Sequence, residues 1–101
     1  MAAYVVIRIK ADGPTQLKDY QKVAPSVIEK YNGKILVRGG EVFSLEGAEE
    51  TRRIVIIEFP SLDAAKKFYY SDEYTSAIEL RKDVADFELI AVEGVNGTVK
   101  L

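Results

Sequence analysis

The sequence predicts an α+β fold: an antiparallel four-stranded sheet with helices on one face and nothing from the same chain on the other. Two segments carry this prediction because they are apolar at nearly every position, YVVIRI at residues 4–9 and IVIIEF at residues 54–59. A half-exposed strand alternates apolar and polar side chains, so both faces of these strands must be covered. The chain has helix enough for one face only. A second copy is the simplest cover for the other, which predicts a homodimer.

The first strand is expected at Tyr4–Lys10. After a turn, Thr15 is a suitable N-cap for a helix, and Asn32-Gly33 suits its C-terminal end. Pro25 has no backbone N–H, so a kink or a break is expected beside it. The apolar and aromatic residues of this helix recur at helical spacing along one stripe: Leu17, Tyr20, Ala24, Val27, Ile28 and Tyr31.

The middle of the chain reads as two further strands. The second strand is expected at Lys34–Arg38, and Gly39-Gly40 then permits a bulge or a bend. Residues 41–45 are a possible continuation of that strand. The third strand is expected at Arg52–Phe59, where Pro60 ends it.

Two serines predict helix starts in the second half. Ser61 is expected to cap a helix from Leu62 to about Tyr70, and Ser71 a shorter helix through Tyr74, Ile78 and Arg81. The last strand is expected at Asp86–Val92. With right-handed crossovers, the order β-α-β-β-α-β gives a ferredoxin-like sheet with its helices on one face. We expect one domain over residues 1–95 and a C-terminal tail at 96–101.

Composition excludes several classes of chemistry. The 101 residues include no cysteine and no histidine, which removes disulfides, thiolate nucleophiles, the commonest metal ligand and the usual proximal haem ligand. The acidic residues lack the spacing of a calcium loop, and Gly39-Gly40 lacks the pattern of a phosphate-binding loop. The sequence therefore predicts no cofactor and no metal site.

The charge balance is equally restrictive. Fourteen basic residues against sixteen acidic ones give a net charge of −2, which favours neither nucleic acid nor an anionic membrane as a partner. No signal peptide fits the N-terminus, and no apolar run approaches the length of a membrane span. We expect a cytoplasmic protein.

The ordered set of motifs resembles one known family. The segments are GKILVRGG at 33–40, LEG at 45–47, IEFPS at 57–61 and YYSDEY at 69–74, followed by Arg81. Over roughly residues 3–95 they are similar to domain-of-unknown-function family 1330. That resemblance implies membership of the dimeric α+β-barrel superfamily, which includes haem-independent monooxygenases, muconolactone isomerase and haem-processing enzymes. It implies fold and dimerisation; the family itself carries no settled activity.

Charges inside apolar strands are the best indication of a ligand site. Strand alternation puts Arg8 and Glu58 on the helix-free face, and a regular second strand would put Arg38 there with Leu36. An apolar chamber with a few convergent charges is typical of small-molecule sites. The alternative is that these charges pair with each other and only fix the register of the assembly. Glu58 is the sole candidate for a general base, and an Arg38–Glu58 pair is expected at rest.

Three more candidates lie in the helical segments. Tyr20 and Tyr74 are either core residues or neighbours of a ligand, and Arg81 shares the face of Tyr74 two turns later. We expect all three near the mouth of a cavity that Arg38, Glu58 and Arg8 line on one side, and that lies either between the sheet and the helices or between subunits. Glu49 and Glu50 are expected to be solvated.

Three functions compete at this stage. The first is a dimer that binds, with or without transforming it, a small, partly apolar molecule, neutral or anionic, through Arg38. The second is a non-catalytic structural or regulatory homodimer whose buried charges serve assembly. The third, an RNA-binding sheet, is disfavoured because the open face lacks paired aromatic residues and the net charge is negative.

Overall fold

The computed structural model describes residues 1–11 and 17–95, and it confirms the predicted fold class. The four strands form one antiparallel sheet in the order β2-β3-β1-β4. The expected cap at Thr15 and the tail at 96–101 lie outside the described residues. The elements in chain order are β1 (Ala3–Ala11), α1 (Lys18–Lys30), β2 (Lys34–Arg38), β3 (Arg53–Phe59), α2 (Leu62–Tyr69), α3 (Asp72–Glu79) and β4 (Ala85–Glu93).

The core lies between one face of the sheet and the helices. Alternate residues of β1, among them Val5, Ile7 and Ile9, are buried there, as the strand alternation predicts. Burial of each such side chain contributes roughly 1.5–3 kcal/mol. The largest side chains that are fully buried are Ile57, Phe59, Phe68 and Tyr74.

The first helix runs unbroken from Lys18 to Lys30 with Pro25 inside it, so the expected break does not occur. Proline at this position removes one donor, the N–H that would reach the carbonyl of Gln21. The buried stripe of Tyr20, Ala24, Val27 and Ile28 holds the rest of the helix against the sheet. Tertiary packing therefore outweighs the local defect.

Both serine caps form as the sequence predicts. The Ser61 hydroxyl accepts a hydrogen bond from the Ala64 N–H at 3.0 Å, and the Ser71 hydroxyl accepts one from the Tyr74 N–H at 3.1 Å. The helix that begins at Ser71 ends at Glu79, which leaves Arg81 in the turn beyond it. None of the helices in the described part of the chain is long and apolar enough to cross a lipid bilayer.

A bulge in β2 changes the expected faces of that strand. Ile35 pairs with Ile57, but Val37 pairs with Ile56, so Leu36 is the extra residue. The bulge therefore lies three residues earlier than the Gly39-Gly40 position that the glycines suggested. It moves Val37 to the helix-free face and Arg38 to the helix face, the reverse of the expectation. Residues 41–45 do not continue the strand; they lie in the connection to β3.

None of the helices among the described residues covers the second face of the sheet. Its exposed apolar side chains include Ile90 and Val92 of β4, which are 56% and 51% exposed. The Cα atoms extend over 41 × 35 × 16 Å, a thickness of one sheet and one helix layer. The apolar residues of this face are Tyr4, Val6, Val37, Ile54, Ile56, Ile90 and Val92.

Candidate functional site

A cavity lies between α1 and the helix face of the sheet. Its volume is about 70 Å³, which is small beside the roughly 300–1,000 Å³ of sites for drug-sized ligands. Short molecules with a few heavy atoms suit this space best. Its wall is mostly aliphatic, and the lining residues are Ile7, Ile9, Tyr20, Gln21, Ala24, Pro25, Ile28, Ile35, Arg38, Arg53, Val55 and Ile57.

Two arginines belong to this lining. Arg53 begins β3 and shares the alternation of Val55 and Ile57, while Arg38 ends β2 and reaches the same face because of the bulge. Gly39 has φ +70° and lets the Arg53 side chain lie against the backbone: a Cβ at Gly39 would be 2.2 Å from the Arg53 Nε. The lack of a side chain at Gly39 therefore leaves room for the Arg53 side chain in the cavity lining.

Neither guanidinium has an acidic partner among residues 1–11 and 17–95. Both residues remain exposed to water at one side, so placing these cations at the cavity carries no large desolvation penalty. Guanidinium groups bind carboxylates through two parallel hydrogen bonds. The arrangement is suited to an anionic head group at the arginines with an apolar body inside the cavity.

Tyr20 connects the cavity wall to a buried polar cluster. Its hydroxyl lies 2.7 Å from the hydroxyl of Tyr74, and the Nη2 of Arg81 donates to the Tyr74 oxygen at 3.5 Å. Burial, and then the neighbouring Tyr74, raises the pKa of Tyr20 far above its ordinary value, so the phenol stays protonated.

Arg81 is only 7% exposed and sits among aromatic rings. Its guanidinium carbon is 3.9 Å from the centre of the Phe87 ring and 5.6 Å from that of Tyr20. Its Nε has no hydrogen-bond partner, and no acidic side chain of the described residues forms an ion pair with it. Cation–π contact thus replaces the usual carboxylate partner. Arg81 and Tyr74 lie in the core rather than at the cavity mouth.

The other sequence-predicted site residues lie on the opposite face of the sheet. Glu58 accepts a hydrogen bond from the Tyr4 hydroxyl at 3.0 Å, and the expected Arg38–Glu58 pair is absent from the described residues because the sheet separates the two. Arg8 pairs instead with Glu50, Nε to Oε1, at 3.2 Å.

Glu50 is the centre of this second charge cluster. It accepts from the Arg52 Nε at 2.9 Å, and the Nη1 of Arg52 reaches Glu88 at 2.8 Å. Hydrogen bonds from Arg52 lower the pKa of Glu50 from 4.5 to about 2. Glu50 was expected to be solvated; it instead joins Arg8 to the loop before β3.

Arg53 is a lining residue that the apolar runs of the sequence do not single out. The signal was available, because Arg53, Val55 and Ile57 alternate along one strand and the last two were assigned to the helix face. Arg38 was singled out, although its position in the structure depends on a bulge that the pattern did not show. The described residues contain no group of three or more acidic side chains placed to hold a metal ion.

The order of the strands and helices shows that this is an α+β protein with a ferredoxin-like fold. The chain belongs to the domain-of-unknown-function family DUF1330, whose profile matches residues 2–95. This confirms the family resemblance of the motifs. No curated protein matches the chain.

Solved structures share the fold at low sequence identity. A protein of unknown function from Rhodopseudomonas palustris is 21% identical, with a TM-score of 0.72 over 95% of this chain and 84% of that one. A dimeric ferredoxin-like protein of unknown function from Jannaschia sp. CCS1 is 10% identical, with a TM-score of 0.69 over 93% and 100%. A proposed antibiotic biosynthesis monooxygenase from Caulobacter crescentus CB15 is 18% identical, with a TM-score of 0.61 over 94% and 91%.

Proposed function

We propose that this chain forms a homodimer through its open sheet face and binds a small, partly apolar carboxylate in the cavity beneath α1. The observation that carries the binding proposal is the pair of guanidinium groups, Arg38 and Arg53, in the lining of an aliphatic cavity without an acidic partner among the described residues. The carboxylate head lies between the two arginines and the hydrocarbon body along the aliphatic wall.

The proposal of a dimer is supported by the apolar residues of the open face. A stable interface buries about 800 Å² on each partner, and the apolar residues of the open face extend over all four strands of the sheet. Leaving the aliphatic residues of this face in water costs about 25 cal/mol for each Å² of apolar surface. Two relatives of the same fold are described as dimeric, which supports the same arrangement.

The two faces then have different roles. Arg8 and Glu58, predicted to lie at the ligand site, are assigned to the dimer face, and the ligand site keeps Arg38 and Tyr20 and gains Arg53. Relatives described as oxygenases show that proteins of this fold can carry such an activity. Because Glu58 lies away from the cavity, the proposal for this chain is ligand binding and includes no assigned base.

Isothermal titration with short carboxylates tests the proposal. Pentanoate and benzoate should bind, whereas pentanamide and benzamide should not, because only the acids present two oxygens to the arginines. Arg38→Lys keeps the charge but loses the two-pronged geometry, so affinity should fall about tenfold or more. Lys67→Met, which removes an exposed cation of α2 outside the cavity lining, is the control and should bind as the wild type does.

Two results would reject the site. One is the absence of carboxylate binding to the wild type; the other is equal binding by wild type and Arg38→Lys. Either result favours the alternative function, a structural or regulatory homodimer. Light scattering at micromolar concentration tests the dimer separately, and a monomer would reject it.

A further inference from the structure

We propose that the loop between β2 and β3 docks on a second copy of this chain, in an apolar groove between α2 and β4. We call this loop, residues 39–52, the arm. The inference rests on the homodimer of the proposed function and adds to it a contact outside the open face. Because the dimer is symmetric, the contact occurs twice, with each arm in the groove of the other protomer.

The arm displays apolar side chains to water from a fixed position. Leu45 is 90% exposed and Phe43 is 78% exposed, more than any other large apolar side chain of residues 1–11 and 17–95. The loop that carries them is tied down, because the Ser44 hydroxyl accepts from the Glu50 N–H at 2.7 Å and Glu50 pairs with Arg8 of β1 at 3.2 Å. Exposed apolar residues held together in one place are typical of a contact with another molecule.

The groove lies at the edge of the sheet that β4 forms. Its volume is about 260 Å³, large enough for an aliphatic or aromatic side chain. Tyr70 and Ile90 stand at its surface, 76% and 56% exposed. Its lining is largely apolar and includes Val5, Ala65, Phe68, Tyr69, Tyr70 and Ile90.

The charges of the arm and the groove are complementary. Glu41 and Glu46 lie on either side of Phe43 and Leu45 in the sequence, and neither forms an ion pair within the described part of the chain. Lys66 belongs to the groove lining and likewise forms no ion pair there. Such pairs add little energy at a surface but favour one partner and one orientation. The acidic arm therefore suits this groove and does not suit an anionic membrane.

The strand order brings the arm of one protomer to the groove of the other. β2 and β4 are the two edges of the sheet. When two such sheets pack through their open faces about a two-fold axis parallel to the strands, the β2 edge of each lies over the β4 edge of the other. Packed sheets are about 10 Å apart, and the seven residues to the middle of the arm can span about 20 Å.

The register places the two at the same height along the strands. Arg38, after which the arm begins, pairs with Val55. Val55 pairs with Ile7, and Ile7 pairs with Leu89, which lines the groove. The arm therefore leaves the sheet level with the groove of a protomer packed in this way.

Cross-linking of introduced cysteines tests the contact, and the chain has no cysteine of its own. The double variant Leu45→Cys/Tyr70→Cys, treated at micromolar concentration with a short bismaleimide, should give a covalent dimer. Mass spectrometry of the digested product should find the link between positions 45 and 70. Leu45→Cys/Val23→Cys is the control, with its second thiol on the exposed side of α1, and should stay a single chain.

A second measurement tests whether the contact stabilises the dimer. Leu45→Ser should raise the dimer dissociation constant about thirtyfold, the product of a roughly fivefold loss at each of two identical contacts. Leu80→Ser, after α3, is the matched control and should leave the dissociation constant unchanged. Because Leu45 is exposed within one chain, Leu45→Ser should not unfold the protomer.

The outcomes separate this inference from the dimer on which it rests. If the wild type is a monomer in light scattering, the proposed dimer fails and this inference fails with it. If the wild type is a dimer but positions 45 and 70 do not link, or link only within one chain, the dimer stands and the docking of the arm is wrong. Equal dissociation constants for Leu45→Ser and the wild type would also reject the docking.

Discussion

The two faces of the sheet differ in whether their charged side chains have partners. On the open face Arg8 and Arg52 are paired with Glu50 and Glu88, and Glu58 accepts from a tyrosine. On the helix face Arg38 and Arg53 have no acidic partner among the described residues. Paired charges cost little and fix geometry, whereas unpaired cations beside an apolar cavity favour an incoming anion. Under the proposed function, the open face serves assembly and the helix face serves recognition.

The largest expected effect is on the open face. Ile56→Asp would put an unpaired carboxylate in the dimer interface, which costs several kcal/mol, so the dimer dissociation constant should rise at least about a thousandfold. Light scattering over a concentration series measures this change. Val23→Asp, on the exposed side of α1, is the control and should leave the dimer intact. An unchanged dimer in Ile56→Asp would mean that the open face is not the interface.

A smaller effect is expected at Gly39, on the helix face. Gly39→Ala forces a residue with a Cβ into φ +70° and pushes against the Arg53 side chain, at a cost of about 1 kcal/mol or more. The melting temperature should fall by about 4–8 °C, and pentanoate should bind several-fold more weakly because Arg53 moves.

Gly40→Ala is the matched control for that experiment. Gly40 is the next residue, and a Cβ there meets no atom within 4 Å. The control should change neither the melting temperature nor the binding of pentanoate. If Gly39→Ala lowers stability but binds pentanoate normally, Arg53 is not part of the anion site.

The smallest expected effect is on how the stability of the protein changes with pH, through the ion pairs of Glu50 on the open face. The pKa of Glu50 is about 2 in the folded protein against an ordinary value of 4.5, so the folded state binds the proton less readily than the unfolded state does. The resulting stabilisation is complete above about pH 4.5 and is lost as the pH falls towards 2. Denaturant unfolding of Glu50→Gln across this range should show a shallower loss of stability than the wild type. Glu49→Gln, at the exposed neighbouring position, should follow the wild type, and an unchanged acid limb in Glu50→Gln would show that this ion cluster adds nothing.

Local signals in the sequence located most elements of the fold. Ser61 and Ser71 were recognised as caps because a side chain that accepts from an N–H three residues later is a local device. The double-sided apolar runs identified β1 and β3 because both strands are central in the sheet. Pro25 shows the limit of such reasoning, since the sequence shows the missing donor and not the packing that keeps the helix continuous.

The candidate site was predicted in part. The sequence indicates Arg38 because it is a charge beside two glycines in an apolar strand, whereas Arg53 stands at the edge of its apolar run and gives no such signal. The sequence could not place Arg38 on a face, since a one-residue bulge at Leu36 reverses the alternation and depends on how β2 pairs with β3. The ion pairs of Glu50 could not be predicted for a similar reason. One partner, Arg52, is nearby in the chain, but the other, Arg8, is distant in the sequence.

The amino-acid sequence by itself determined the fold class, the helix caps, the family and the lack of histidine and cysteine chemistry. Each of these depends on residue types or on spacing within a few turns of chain. Only the tertiary structure decided which charges meet, because ion pairs, the bulge and the Tyr20–Tyr74–Arg81 cluster join residues that are far apart in the chain. Strand register sets the face of every side chain, and register is a property of the paired strands rather than of either strand alone.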